Sequence, residues 1–178
     1  MTGMVCEAQI RQATPEDAEV VSEILKEAAR WLEQAGMPLW QENDVDITHI
    51  VPNVRAGLFY LAEYSGDPAG TLKFQLDDLV VWPDARPHDA AYVHRLAVRR
   101  RYAGRGLSTA LLRWAVERTQ AIGRTYLRLD CHAQRPRLRA IYEEFGFQYH
   151  SEMQVGPYHL ARYEYDVTKL ATSHRANI

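Results

Sequence analysis

Three pieces follow one another without a break in HRLAVRRRYAGRGLSTALLRWAV, His94 to Val116. They are a strand-like apolar run, a knot of arginines around two glycines spaced by one residue, and an amphipathic segment. Leu107, Leu111, Leu112, Ala115, Val116 and Ile122 recur at helical spacing as far as Gly123. A strand that turns through glycine straight into a helix confines the chain to folds that alternate strand and helix on a sheet.

The flanking segments extend that alternation. AQIRQATPEDAEVV reads as a short strand, a cap and a helix start: Thr14 with Asp17 forms a capping-box pattern, and Pro15 suits the first helical position. Val21, Ile24, Leu25, Ala28, Trp31 and Leu32 then mark one helix face, with Gly36 as the stop. This places Trp31 in the core. MPLWQENDVDITHIVPNVRAG mixes acidic and aromatic residues and is interrupted by Pro52, so it is expected to be a loop with weak helix. LFYLAEY and GTLKFQL are two strands joined through SGDPAG as a hairpin. AYVHRLAV and TYLRLDC are further strands, PRLRAIYEEFGF is a helix that stops at Gly146, and LARYEYDV is the last strand. The tail from Thr168 looks frayed. With no repeat or linker in its 178 residues, the chain is expected to be a single α/β domain over 1–178, with its core at about 8–167.

Charge narrows the function. A formal net charge of −2 argues against nucleic acid as a partner, because binding a phosphate backbone needs basic charge across a whole face. Any anion site is local. Cys6 and Cys131 stand far apart in no metal-ligand spacing, so neither a disulfide framework nor a metal site is expected. No apolar stretch approaches the roughly 20 residues of a membrane span, and no leader pattern opens the chain, so a cytoplasmic location with no membrane partner is expected.

The glycine turn supplies an anion site. The first N–H groups of a helix lack internal partners and carry the positive end of the peptide dipoles, which favours phosphate. A P-loop would need a lysine after its glycines, and a dinucleotide fingerprint would need GxGxxG where Gly104 begins GxGxxT. A glycine-containing turn among ordinary solvated arginines is the plainer alternative. However, Arg101-Tyr102-Ala103-Gly104-Arg105-Gly106 fits (Q/R)xxGx(G/A) directly after Leu96-Ala97-Val98. With IRQATPEDA before it and RAIYEEFGF after it, the sequence resembles the GNAT superfamily of N-acetyltransferases over about residues 8 to 167.

That resemblance implies a mixed, mostly antiparallel central sheet with a splayed parallel strand pair and helices on both faces. It implies acetyl-CoA as cosubstrate, with no metal, and attack of an amine on the thioester in a ternary complex. The pantetheine arm would pair with the backbone of Leu96, Ala97 and Val98. The pyrophosphate would lie on the turn Arg101, Tyr102, Ala103, Gly104, Arg105, Gly106 and Leu107, with Ser108 and Thr109 close by. Arg99, Arg100 and Arg113 could add to the local field. Tyr142, four residues before Gly146, matches the family's tyrosine that protonates the departing thiolate. Arg135 stands where the family often has an asparagine that contacts the cofactor arm. The resemblance also implies pairing into a homodimer through C-terminal strands.

An alkylamine with pKa about 10.4 is protonated at neutral pH, and freeing it costs about 4.6 kcal/mol unless a base takes the proton. His94 is the candidate base, on one strand face with Tyr92, Leu96 and Val98 by the two-residue period. A structural histidine is the alternative, and Glu63 is a second candidate. Trp40, Glu63 and Tyr158 are expected to line the acceptor pocket; the flat walls of Trp31, Trp40 and Tyr158, with Glu42, Asp44 and Asp46 favouring a cation, suggest a small cationic or aromatic amine. Two other readings stay open: acetylation of a protein N-terminus or lysine, and a non-catalytic acyl-CoA-binding module.

Overall fold

The computed structural model describes residues 8–169. Cys6 and all but the first two residues of the tail from Thr168 lie outside that range. The chain forms two compact units. The first runs up to Lys73 and includes Arg95–Leu112; the second comprises Phe74–His94 and the chain from Arg113 onward. One seven-stranded sheet orders its strands β1-β2-β3-β4-β5-β7-β6.

In the first unit, β1 (Gln9–Gln12) pairs antiparallel with β2 (Phe59–Tyr64), and β2 with β3 (Asp67–Gln75). The hairpin turn is tighter than expected. Ser65 and Gly66 take φ of 54° and 84°, the left-handed pair that lets two residues reverse a twisted ribbon, so Asp67 and Pro68 already belong to β3. Helix α1 (Ala18–Gln34) follows the expected cap: Asp17 accepts from the Thr14 N–H at 2.8 Å, and Pro15 opens the preceding 3-10 turn. Val21, Ile24 and Leu25 are fully buried, but Trp31, expected in the core, is 37% exposed at the helix end.

The segment expected as a loop with weak helix contains a nine-residue helix, α2 (Ile47–Arg55), after a 3-10 turn Glu42–Val45. Its start is fixed by Asp46, whose carboxylate accepts from both the backbone N–H and the hydroxyl of Thr48. Ile50 and Val54, one turn apart, bury against α1 and β2 residues. Pro52 removes one donor inside the helix without ending it, because cap and burial outweigh that loss.

Arg11 joins β1 to the start of α1 and to β2. It donates to Asp17 at 2.6 Å and to Glu63 at 2.7 Å. The Arg11 guanidinium holds the Asp17 carboxyl at about 2, against the opposing push of burial and with help from Thr14. Because this value lies below that of the unfolded chain, the contact stabilises fully above about pH 4 and is lost as pH falls through 2. Arg11→Gln is therefore expected to be less stable than the parent by a constant margin at neutral pH. Urea midpoints measured from pH 6 to 2 should show that margin shrinking below about pH 4.

β4 (Ala90–Val98) has its residues up to His94 in the second unit, where it runs parallel to β5 (Tyr126–His132) and pairs at Ala90↔Tyr126, Ala91↔Leu127 and Tyr92↔Arg128. Those three pairs lie at the N-terminal ends of both strands, while β5 is paired with β7 (Tyr158–Asp166) along its whole length. β7 returns against β6 (Gln148–Val155), an eight-residue strand not expected from the sequence. β6 is an edge strand with mostly exposed side chains, so its polar QYHSEMQ carries no apolar alternation to read. Helix α3 (Leu107–Ala121), which belongs to this unit from Arg113 on, ends near Gly123, and α4 (Pro136–Phe145) stops at Gly146 with φ of 120°, both as expected. Tyr163, Leu127 and Leu129 are among the fully buried residues of this unit. Among the described residues no helix is long and apolar enough to cross a membrane.

Candidate active site

The glycine turn belongs to the first unit. After Val98 the chain makes a 3-10 turn at Arg100–Tyr102 and enters α3 at Leu107. Tyr102 is buried and donates to Asp67 at 3.1 Å, which pins the turn to the start of β3. Gly104 and Gly106 both take φ of 75°, and a side chain at either would meet no protein atom within 4 Å. Open space therefore lies over both glycines. The first bond of α3 runs from the Ala110 N–H to Gly106 O, so helix geometry leaves the N–H groups of Leu107, Ser108 and Thr109 without intrahelical acceptors. Ala103, Gly104, Arg105 and Thr109 are exposed. A row of amides at an open, dipole-favoured helix end fits a pyrophosphate.

The arginines have more local duties than their charge suggests. Arg99 donates to Glu27 at 3.1 Å and to the Pro68 carbonyl at 3.1 Å, tying β4 to α1 and β3. Arg100 lies 4.0 Å over the Trp31 ring, which explains why an exposed tryptophan sits at the end of α1. Arg105 stacks on Tyr64 and Arg101 on Tyr102. Arg101, Arg105 and Arg113 remain exposed at the surface.

β4 does not keep its alternation. Arg95 takes φ of 53°, a left-handed conformation that costs a non-glycine residue on the order of 1–3 kcal/mol. The single face proposed for Tyr92, His94, Leu96 and Val98 is broken there, and Ala97 turns into the core with Phe59 and Leu61. Gly70 on β3 is required beside this stretch, since a Cβ there would stand 3.0 Å from the Ala97 carbonyl oxygen.

His94 belongs to the second unit, and its imidazole lies between two carboxyl groups. Nε2 is 3.0 Å from Asp78 and Nδ1 is 3.7 Å from Asp130. The Nε2 contact is poorly aligned, so His94 Nε2, Asp78 Oδ2 and Asp130 Oδ1 are buried without a well-formed hydrogen bond. Burial pushes the Asp78 carboxyl up, but the His94 ring and the Val81 N–H outweigh it and hold it below its usual value. Asp130 goes the other way: burial pushes it up, His94 pulls it back, and the Asp78 charge pushes it further up. The two carboxyls are thus shifted in opposite directions. The three donor atoms lie within 4.8 Å of one another, as a divalent cation would need. The two carboxyls nevertheless face different ring nitrogens, an arrangement suited to passing protons along a line.

Tyr142 lies in α4, 7% exposed, with its ring against Phe147 and Tyr163. Burial first, and the neighbouring acidic groups of Cys131 and Asp130 after it, push its phenol well above the ordinary range, so it is held protonated. Cys131 is buried, and its thiol is pushed up to about 12 by burial and by Asp130. Arg135 occupies the N-cap position of α4 before Pro136.

The other expected site residues are dispersed. Glu63 is engaged by Arg11, which weighs against a role as base. Trp40 is half-buried, with Arg95 over its ring at 5.3 Å. Tyr158 opens β7, edge-on to His132 at 5.4 Å. Of the acidic trio expected to favour a cation, Asp46 is paired with Lys26 at 2.7 Å and Glu42 with Arg30 at 3.5 Å, while Asp44 accepts from the Gln41 N–H at 3.2 Å. Asp78, Asp130 and Arg95 were not singled out from the sequence. Asp78 lies in an irregular connection, where no periodicity could flag it.

The sequence model of the Acetyltransferase (GNAT) family matches residues 21–147. The uncharacterized N-acetyltransferase YesJ of Bacillus subtilis (strain 168) is 30% identical over 162 residues, covering 88% of each chain. A GNAT-family acetyltransferase structure from Listeria monocytogenes 4b F2365 superposes with a TM-score of 0.78 at 25% identity, covering 93% of this chain and 98% of that one. The fold is also that of the PaiA N-acetyltransferase of Thermoplasma acidophilum, solved in complex with coenzyme A (TM-score 0.70, 18% identity, 89% and 99% covered). With strand, glycine turn and tyrosine helix in order beneath these matches, the chain belongs to the GNAT acetyltransferase family and is an N-acetyltransferase.

Proposed function

We propose that the protein transfers the acetyl group of acetyl-CoA to the amine of a small molecule by direct attack in a ternary complex. The observation that carries this reading is the open glycine turn, where Gly104 and Gly106 leave room over the unpartnered amides of Leu107, Ser108 and Thr109. Those amides, with the turn from Arg101, hold the pyrophosphate. The exposed backbone of Leu96 and Val98 holds the pantetheine arm. Bound acetyl-CoA supplies an activated acyl carbon and a thiolate leaving group.

His94 receives the proton of the attacking amine through water, and Asp78 and Asp130, facing its two ring nitrogens, orient it and accept the proton onward. Asp130, held above its usual value, is the better final acceptor. The amine nitrogen bonds to the carbonyl carbon, the carbon–sulfur bond breaks, and Tyr142 donates its proton to the sulfur. The buried, protonated Cys131 is a poor nucleophile, which supports direct attack over an acyl-enzyme.

Release of free thiol from acetyl-CoA in the presence of an amine panel tests the reading. Absence of acetyl-CoA binding by calorimetry overturns it. Within it, His94→Gln is expected to lower turnover by about 100-fold and Asp78→Asn by about 10-fold, with acetyl-CoA affinity retained in both. Steady-state kinetics against calorimetry separate the two quantities.

A further inference from the structure

Arg95 is costly where it stands. It holds a left-handed backbone conformation inside β4, and its Nη1 is buried with no hydrogen-bond partner. Burial lowers its pKa, and the charge of Asp44 only partly opposes that effect. The guanidinium carbon lies 5.3 Å from the centre of the Trp40 ring, a contact that supplies no hydrogen-bond acceptor to Nη1. A largely desolvated cation without an ion pair destabilises a fold unless an anion binds it.

The Arg95 side chain borders a cavity, with Nη1 itself closed off from it. Arg95, Asp44, His49, Asn53, Phe59 and Lys73 line a space of about 200 Å³. This is small even for a metabolite site, and its walls carry both signs of charge: Arg95 and Lys73 against Asp44. A simple amine would use the Asp44 side and leave the guanidinium unpaired. A molecule with both an ammonium and a carboxylate would satisfy both sides, because the planar fork of arginine matches a carboxylate through two parallel hydrogen bonds.

We infer that Arg95 binds the carboxylate of the acceptor, and that the acceptor is a small amino acid or an amino-acid-like zwitterion. This inference rests on the acetyl-transfer reading above and narrows its substrate class. It replaces the cationic or aromatic amine that Glu42, Asp44 and Asp46 suggested, since two of those three are already in ion pairs.

The test compares matched acceptors: α-amino acids, their carboxamides and the decarboxylated amines, each supplied with acetyl-CoA. The parent enzyme is expected to favour the acids over the amides by at least about 100-fold in kcat/KM, because an amide leaves the guanidinium edge unpaired. Arg95→Asn is expected to bring that ratio near one, mainly through KM on the acids, with acetyl-CoA affinity unchanged. Asparagine tolerates the left-handed backbone, so this variant should melt no lower than the parent. Arg95→Lys should keep part of the preference. The inference is overturned if the parent acetylates amides as well as acids, or if Arg95→Asn slows both by the same factor.

The two readings fail differently. Intact acetyl-CoA binding with turnover of uncharged amides alone removes the role of Arg95 and leaves acetyl transfer standing. Loss of acetyl-CoA binding removes the acetyl-transfer reading, and thermal shifts with the amino acids alone then decide the Arg95 site. A shift in the parent that is absent in Arg95→Asn supports the site, and no shift in the parent overturns it.

Discussion

Replacing Tyr142 with phenylalanine is expected to lower kcat by about 100-fold while leaving acetyl-CoA affinity little changed. The ring contacts with Phe147 and Tyr163 do not need the hydroxyl, so the variant should fold as the parent does. What it loses is a proton donor. Burial first, and the neighbouring acidic groups of Cys131 and Asp130 after it, hold the phenol protonated above its ordinary range. At any pH up to about 10 the parent therefore has that proton available, and the alkaline side of its rate profile should carry no step from Tyr142. Rapid-quench turnover beside calorimetric binding separates the outcomes. An unchanged rate removes the acid role, and a parallel loss of binding would make Tyr142 a packing residue.

The second large effect is expected at Gly104. Glutamate there must adopt φ near 75°, a conformation that costs a side-chain-bearing residue about 1–2 kcal/mol. It also places a carboxylate in the open space over the turn, where the amides are aimed at pyrophosphate. Since no protein atom lies within 4 Å of the new Cβ, the fold itself should survive. Acetyl-CoA affinity should fall by at least about 100-fold through repulsion and occlusion. Gly104→Ala isolates the backbone contribution and should cost about 10-fold. If Gly104→Glu retained the parent's affinity, the phosphate would have to lie elsewhere.

The parts of the molecule that the sequence discloses are those with a short-range physical signature. The capping pair Thr14 and Asp17, the glycine stops and the spacing of Val21, Ile24 and Leu25 are local, and the structure reproduces them. The glycine turn is legible for the same reason, because left-handed backbone and an open helix end need glycine. α2 was obscured by Pro52, whose local penalty is outweighed by the Asp46 cap and the burial of Ile50 and Val54. β6 was obscured by its exposure at the edge of the sheet, which removes the apolar period. Trp31 fits the helical stripe of α1 and still lies at the surface, because its partner, Arg100, is 69 positions away in the chain.

The site divides in the same way. Tyr142 and the turn are visible through the motif that carries them. Asp78 and Asp130 reach His94 from separate segments, and nothing local in either segment marks it for that contact. Arg95 stands in the strand before the arginine cluster, and nothing local marks its left-handed backbone or its unpartnered Nη1.

The sheltered Cys131 has a further use. A thiol that is buried and held near 12 reacts with alkylating reagents only when the surrounding strand opens, so its labelling rate in the native protein is a clock for that opening. A ligand bound only by the closed form slows this clock in proportion to its occupancy. Peptide-resolved labelling of Cys131 would thus report ligand engagement without any turnover, and would do so equally well in a variant that can bind but no longer react.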